Sequence, residues 1–136
     1  MENRRSGLHL MGTLINCDSK IITDYESLYS FLCEFPIKIG MTVVAFPENP
    51  MLHRVQNDHG FMGVVLLYES HFSFHCWPEA DSSIDFDLFS CKKFDDIYAM
   101  QLLIDFFKGS PVGCVLLGRG YYGAKILNIE DIDETS

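Results

Sequence analysis

The sequence has few basic residues and no long apolar run. Lys and Arg number 10 against 19 Asp and Glu, which gives a formal net charge of −9. An acidic surface repels phosphate, so nucleic acid is excluded as a partner, whereas steering favours small cationic molecules. No run approaches the roughly 20 apolar residues that span a bilayer, so we expect no membrane partner. The start of the chain, Met1–Arg5, lacks the apolar stretch of a signal peptide, which predicts a cytoplasmic protein.

The sequence also lacks any Cys-x-x-Cys pair. Its five cysteines are scattered at positions 17, 33, 76, 91 and 114. An odd number with irregular spacing favours reduced thiols in the cytosol over a disulfide framework. A cysteine of this kind ordinarily serves as a small buried hydrophobic residue, and only Cys91 attracts a chemical role, given below.

The length of 136 residues predicts a single domain, residues 1–136. Apolar runs predict strands at 7–15, 41–46, 63–68, 72–77, 84–89, 112–117 and 121–127. Helical spacing predicts two helices, one from a Thr23-x-x-Glu26 capping box to Pro36, and one from Asp95 to Lys108 capped by Gly109. This order implies an α+β fold, a two-layer α/β sandwich in which a largely antiparallel sheet carries both helices on one face.

The stretch from Gly63 to Glu79 places a Glu69-Ser70-His71 sequence between two predicted strands. A hydroxyl at such a position is held by rigid elements, which suits a site that needs fixed geometry. The stretch continues as Phe72-Ser73-Phe74-His75-Cys76-Trp77-Pro78-Glu79. The whole run resembles the self-cleavage segment of the S-adenosylmethionine decarboxylases of bacteria and archaea, which reads as a valine-rich strand, Glu-Ser-His and a His-x-Trp-Pro-Glu tail. The resemblance implies the same sandwich architecture.

The resemblance further implies that the chain is a zymogen cut between Glu69 and Ser70, into a β chain 1–69 and an α chain 70–136. In that family the serine attacks the preceding carbonyl, and β-elimination then leaves a pyruvoyl group in place of Ser70. This covalent cofactor forms a Schiff base with a substrate amine and accepts electrons as carbon dioxide leaves. The implied substrate is S-adenosylmethionine, whose decarboxylated product donates the aminopropyl group for spermidine synthesis.

Three further residues receive roles from the resemblance. His75 matches the histidine that assists elimination, Cys91 in Leu-Phe-Ser-Cys matches the thiol proton donor, and Glu79 matches the acid that binds the ribose hydroxyls. Strand alternation alone puts Ser70 and His75 on opposite faces, so the assignment requires a turn or bulge just after Ser70. The resemblance also implies a homodimer of cleaved protomers, with sites near the subunit contact.

The chain departs from the family pattern at three positions. Met62 stands where a serine commonly assists processing, Val55 lies where a phenylalanine usually stacks on adenine, and Thr13 replaces an acidic residue. These departures keep two alternatives open. One is a pyruvoyl-dependent arginine or ornithine decarboxylase, and the other is an uncleaved, non-catalytic partner subunit.

Three other motifs in the sequence give weaker functional predictions. Gly118 to Gly123 fits G-x-G-x-x-G, but too little chain follows for a dinucleotide site. His71 and His75 lie on a predicted strand with no third ligand at metal-site spacing, so no metal is expected. A hydrolase triad of Ser70, His75 and Asp85 lacks a nucleophile elbow.

Overall fold

The structure, a computed structural model, describes residues 6–55, 60–120 and 123–130. Seven strands and two helices follow one another along these residues. In chain order they are β1 (Ser6–Ile15), α1 (Tyr25–Lys38), β2 (Met51–Arg54), β3 (Phe61–Leu67), β4 (Ser70–Trp77), β5 (Ser83–Ser90), α2 (Asp96–Phe107), β6 (Ser110–Gly120) and β7 (Gly123–Glu130).

The strands form one antiparallel sheet in the order β2-β3-β4-β5-β1-β6-β7. Alternation of side chains gives the sheet two distinct faces. On β4 the buried side chains are Phe72, Phe74 and Cys76, and the residues between them are only partly buried. The hydrophobic core therefore lies on one side of the sheet.

Both helices cover that side, which confirms the predicted α+β sandwich. The ring of Phe31 on α1 stacks on Phe106 of α2 with centroids 4.1 Å apart, and Phe35 packs against Phe72 of the sheet at 4.7 Å. Burying one such ring contributes about 1.5–3 kcal/mol to stability. We call the opposite side of the sheet, which bears His71, Ser73, His75 and Trp77 of β4, the open face.

The ends of the helices differ from the predicted ones. Asp24, not Thr23, is the N-cap of α1, and its carboxylate accepts from the backbone N–H of Ser27. The predicted capping box is therefore wrong, because Thr23 lies one residue before the cap and its hydroxyl donates instead to the carbonyl of Ser19. The helix also passes Pro36 and ends at Lys38. In α2 the left-handed capping conformation falls on Lys108 rather than on Gly109.

The predicted strand at 41–46 is wrong. That segment makes only an isolated bridge, between Val43 and Leu67, and the edge strand is β2 instead. The side chain of Asn49 takes the place of a strand there: its Nδ2 donates to the carbonyl of Leu66 at 2.9 Å, and its Oδ1 accepts from the N–H of Leu66 at 2.7 Å. An amide side chain thus satisfies backbone groups that a ladder would otherwise pair.

Residues 1–5, on which the expectation of no signal peptide rests, lie outside the described residues, as do the first two residues of the last predicted strand, 121–127. Among the described residues, no helix is long and apolar enough to cross a membrane.

Candidate functional site

Strands β3 and β4 are joined by a tight turn that ends in a strained serine. Leu67 pairs with Ser70, so Tyr68 and Glu69 form a two-residue hairpin loop. The φ angle of Ser70 is +151°, in a region that residues other than glycine rarely adopt. Such a conformation costs on the order of 1–3 kcal/mol, and it persists only where its surroundings impose it. The strain lies at the expected cleavage bond.

The carbonyl oxygen of Glu69 accepts a hydrogen bond from the backbone N–H of Cys91, with an N···O distance of 2.9 Å. A donor at this place polarises the carbonyl and stabilises negative charge that develops on its oxygen. Cys91 itself is exposed and directly follows β5. The structure therefore brings Glu69, Ser70 and Cys91 together, as the sequence interpretation requires.

The bend that presents Cys91 is held by Ser90, which is fully buried. Its hydroxyl donates to the carbonyl of Lys92 at 2.7 Å and accepts from the N–H of Lys92 at 2.9 Å. Across the sheet, Ser90 pairs with Ser70. This hydroxyl thus fixes the segment that carries the donor, a role that sequence reasoning missed although Ser90 lies within the Leu-Phe-Ser-Cys motif.

The loop after α1 holds the other side of the hairpin. The N–H of Thr42 donates to the Glu69 carboxylate at 3.0 Å, and the carbonyl of Thr42 accepts from the N–H of Tyr68 at 3.0 Å. Two bonds from one residue fix the turn at both of its positions. Nothing in the sequence pattern around Thr42 indicated this contact.

His71 is the imidazole next to Ser70, and it too was missed as a site residue. Its Nδ1 lies 3.0 Å from the Ser70 Oγ. Burial lowers the pKa of His71 from its ordinary value, which favours the neutral ring that can accept a proton. The signal was present in the sequence, since His71 completes the Glu-Ser-His motif.

His75 does not reach Ser70 within one protomer. It lies on the same face as His71 but four residues farther along β4, about 13 Å at the usual rise per residue. The pairing of β4 with both neighbours runs without a register shift, so the turn or bulge expected just after Ser70 is absent from this described strand. The ring of His75 stacks on Trp77 at 3.8 Å, and its buried Nε2 makes no hydrogen bond.

Glu79 lies in the exposed turn after the far end of β4. The eight residues of β4 span about 25 Å, so Glu79 is also far from Ser70 in the same protomer. Met62 is the cross-strand partner of His75 and is about half exposed on the open face. Thr13 donates to the Asp85 carboxylate, so the position where the family carries an acid here holds a hydrogen-bond donor.

Possible metal ligands and the cysteines are distributed as follows in the structure. Among them, no three His, Cys, Asp or Glu side chains are grouped as metal ligands. None of the five cysteines, all of which the structure describes, forms a disulfide.

Comparison with known proteins gives a family match over most of the chain. The sequence model of the S-adenosylmethionine decarboxylase family matches residues 8–120. The S-adenosylmethionine decarboxylase proenzyme of Thermodesulfovibrio yellowstonii is 30% identical over 115 residues, covering 84% of this chain and 81% of that protein. The proenzyme of the same name from Archaeoglobus fulgidus is also 30% identical over 115 residues, covering 84% of this chain and 97% of that protein.

A solved structure shows the same fold. The crystal structure of the adenosylmethionine decarboxylase from Aquifex aeolicus superimposes with a TM-score of 0.66 at 23% sequence identity. The match covers 94% of this chain and 98% of that one. At this identity the likeness bears on the fold alone.

Proposed function

The chain belongs to the S-adenosylmethionine decarboxylase family, and from that premise we propose that it is a self-processing, pyruvoyl-dependent carboxy-lyase whose substrate is S-adenosylmethionine. The observation that supports this most is the geometry at one peptide bond. Ser70 has a strained backbone, and the preceding carbonyl of Glu69 is hydrogen-bonded to Cys91 N–H. The proposed cut falls between Glu69 and Ser70 and gives chains 1–69 and 70–136.

The residues around Ser70 fit a cofactor made from the chain itself. The Ser70 hydroxyl is adjacent to the carbonyl that it must attack, and the strain at this residue is released when the peptide bond breaks. Once formed from Ser70, the pyruvoyl group supplies an electron sink for decarboxylation. Cys91 is exposed and lies beside the same bond, and we propose that its thiol delivers a proton to the decarboxylated carbon.

We propose that two copies of the chain pair through their open faces. No described element of the protomer covers this side of the sheet, and it exposes Met62 and Leu66 at 49% and 45%. In a two-fold dimer, a contact from one residue to another is always accompanied by its reciprocal. A two-fold axis near Ser73 therefore brings His75 of each protomer toward the Ser70 end of β4 in the other. The Ser70 hydroxyl is within reach of the open face there, because its Oγ lies 3.0 Å from Nδ1 of His71, which is on that face.

This pairing accounts for the distances inside one protomer. His75 is too far from its own Ser70 to assist elimination, and its Nε2 has no partner in the protomer. Glu79 follows the far end of the same strand, so the same two-fold rotation brings it toward the Ser70 end of the partner's β4. We therefore propose that His75 and Glu79 serve the Ser70 of the partner subunit.

The proposed substrate is cationic, as are the alternatives arginine and ornithine, so the net charge of −9 suits each of them. Family membership favours S-adenosylmethionine. The product is then the aminopropyl donor for spermidine synthesis. We also propose a cytoplasmic location, because an odd number of scattered cysteines without a Cys-x-x-Cys pair favours reduced thiols.

The test is release of labelled carbon dioxide by purified, cleaved protein. S-Adenosylmethionine, arginine and ornithine, each labelled in the carboxyl group, are supplied in parallel, and Ser70→Ala is the control. We expect release from S-adenosylmethionine only. Release from arginine or ornithine alone would contradict the proposed substrate, and no release from any of them would contradict the proposed decarboxylase activity. A wild-type chain that purifies uncut would favour the non-catalytic partner subunit.

A further inference from the structure

We propose that His71 is the general base of the first self-cleavage step, taking the proton from the Ser70 hydroxyl. This inference rests on the proposed function, because it concerns how the same chain is cut. It separates two histidines of one strand by role: His71 acts on the Ser70 of its own protomer before the ester forms, whereas His75 is assigned to the later elimination.

The contact is direct. His71 Nδ1 lies 3.0 Å from Ser70 Oγ, within the distance at which a base removes a proton. With its proton on Nε2, the imidazole accepts the Ser70 O–H through Nδ1. His75, about 16 Å along the strand from Ser70, is out of reach within the protomer.

The surroundings of His71 come from four strands. Leu66 on β3 and Phe89 on β5 pair with it directly, and the ring centroid of Phe89 is 6.3 Å away. Three charged or titratable groups face the same region: Asp87 on β5, His9 on β1 and Arg119 on β6.

These three groups form a chain of contacts next to Phe89. His9 contacts the Asp87 carboxylate through Nε2, and Arg119 lies 3.1 Å from His9 Nδ1. The Arg119 guanidinium also sits over the Phe89 ring at 4.2 Å. The Phe89 ring is thus a neighbour of Arg119, His9 and His71 alike.

Burial is the largest influence on the pKa of His71 and lowers it. Asp87 opposes this effect, while His9 and Arg119 add to it. Near neutral pH the ring is therefore uncharged and ready to accept a proton. The geometry and the charge state agree on the same role.

The step balances without any other reactant. His71 Nδ1 takes the Ser70 hydroxyl proton as Oγ bonds to the Glu69 carbonyl carbon, and the electron pair of the carbonyl moves to its oxygen, where Cys91 N–H donates. The carbon–nitrogen bond then breaks. The nitrogen of Ser70 takes the proton back from His71, which leaves an ester between Glu69 and Ser70 Oγ and a neutral imidazole.

The experiment follows newly synthesised, radiolabelled chain in a cell-free system and measures the fraction cut over time. We expect His71→Ala and His71→Asn each to slow cleavage at least ~100-fold, since general bases contribute about 10²–10⁴-fold. Added imidazole should partly restore cleavage of the alanine variant. Cleavage of both variants at the wild-type rate would overturn the assignment.

Hydroxylamine distinguishes the two histidines, because it cuts an ester but not a peptide bond under mild conditions. We expect His75→Ala to accumulate a chain that hydroxylamine cuts at residue 69, and His71→Ala to remain whole. A hydroxylamine-sensitive His71→Ala chain would move His71 to a later step and overturn the proposal.

The pH dependence gives a readout that a merely structural role would not change. We expect the wild-type cleavage rate to be level near neutral pH and to fall below the lowered pKa of His71. Arg119→Gln should move that inflection to higher pH, and Asp87→Asn to lower pH, because each removes one of the opposing influences. If neither variant moves it, His71 is not the base.

A different result would contradict the proposed function. Wild-type chain that is never cut contradicts self-processing itself. If the wild-type chain is cut and the His71→Ala chain is cut at the same rate, only the role of His71 is contradicted.

Discussion

The backbone N–H of Cys91 donates to the carbonyl oxygen of Glu69 at 2.9 Å. This bond connects the end of β5 to the hairpin between β3 and β4, and it places Cys91 beside the bond expected to be cut. In the proposed function, this one residue offers two groups, an amide for self-cleavage and a thiol for decarboxylation. The two contributions can be separated by substitution.

Cys91→Ala keeps the amide and removes the thiol, whereas Cys91→Pro removes the N–H. We expect Cys91→Ala to be cut but to lose at least about 100-fold in decarboxylation, the range for a general acid. Cys91→Pro should be cut about 100-fold or more slowly, as for loss of one oxyanion donor. Gel analysis and carbon dioxide release measure these effects, with circular dichroism to check folding. Equal cleavage of the two variants would argue against the donor role.

Strain at Ser70 should be visible in stability. Neither Ser70→Gly nor Ser70→Ala can self-cleave, so both can be unfolded as single chains in urea. Glycine relieves the strain at φ +151°, but it loses more backbone entropy on folding. We therefore expect the free energy of unfolding of Ser70→Gly to exceed that of Ser70→Ala by about 1 kcal/mol. A glycine variant no more stable than the alanine variant would show that the surroundings do not strain this residue.

Ser90 should matter through its hydroxyl. Ser90→Ala removes both bonds to Lys92 in a fully buried place, and we expect a loss of about 1–3 kcal/mol in unfolding free energy together with slower cleavage. Ser90→Thr keeps the hydroxyl and should be cut at a rate closer to wild type. If alanine and threonine behave alike in the cleavage assay, the bend does not depend on these bonds.

The cysteines should differ in reactivity. Burial raises the pKa of Cys76 to about 12 and that of Cys17 to about 11, which keeps both thiols protonated at pH 8, whereas Cys91 is exposed. We expect iodoacetamide to modify Cys91 of folded Ser70→Ala protein well before Cys17 or Cys76. Peptide mapping by mass spectrometry measures the order, and equally fast labelling of Cys76 would contradict this packing.

Much of the fold followed from periodicity. The alternating runs of β4 and β5 and the apolar stripes of both helices predicted elements that the structure contains, because burial on one face imposes those patterns. Periodicity did not predict the edge strand of the sheet, β2. Asn49 satisfies the backbone of Leu66 through its side chain, and no hydrophobic pattern records such a contact.

The site was predictable only where its residues are neighbours in sequence or belong to a motif. Glu69, Ser70 and Cys91 lie together in the structure, and their roles stay predictions. The bulge expected just after Ser70 was wrong, because β4 pairs in continuous register with both neighbours and keeps His75 five residues away along the strand. Thr42 was missed because its contacts to Tyr68 and Glu69 bridge distant parts of the chain.

The central claim is that this chain cuts itself between Glu69 and Ser70, and intact mass spectrometry of the purified protein under denaturing conditions tests it most directly. We predict two chains, 1–69 and 70–136, the second beginning with a pyruvoyl group, and a single uncut chain for Ser70→Ala. A wild-type protein of full, undivided mass would contradict the account.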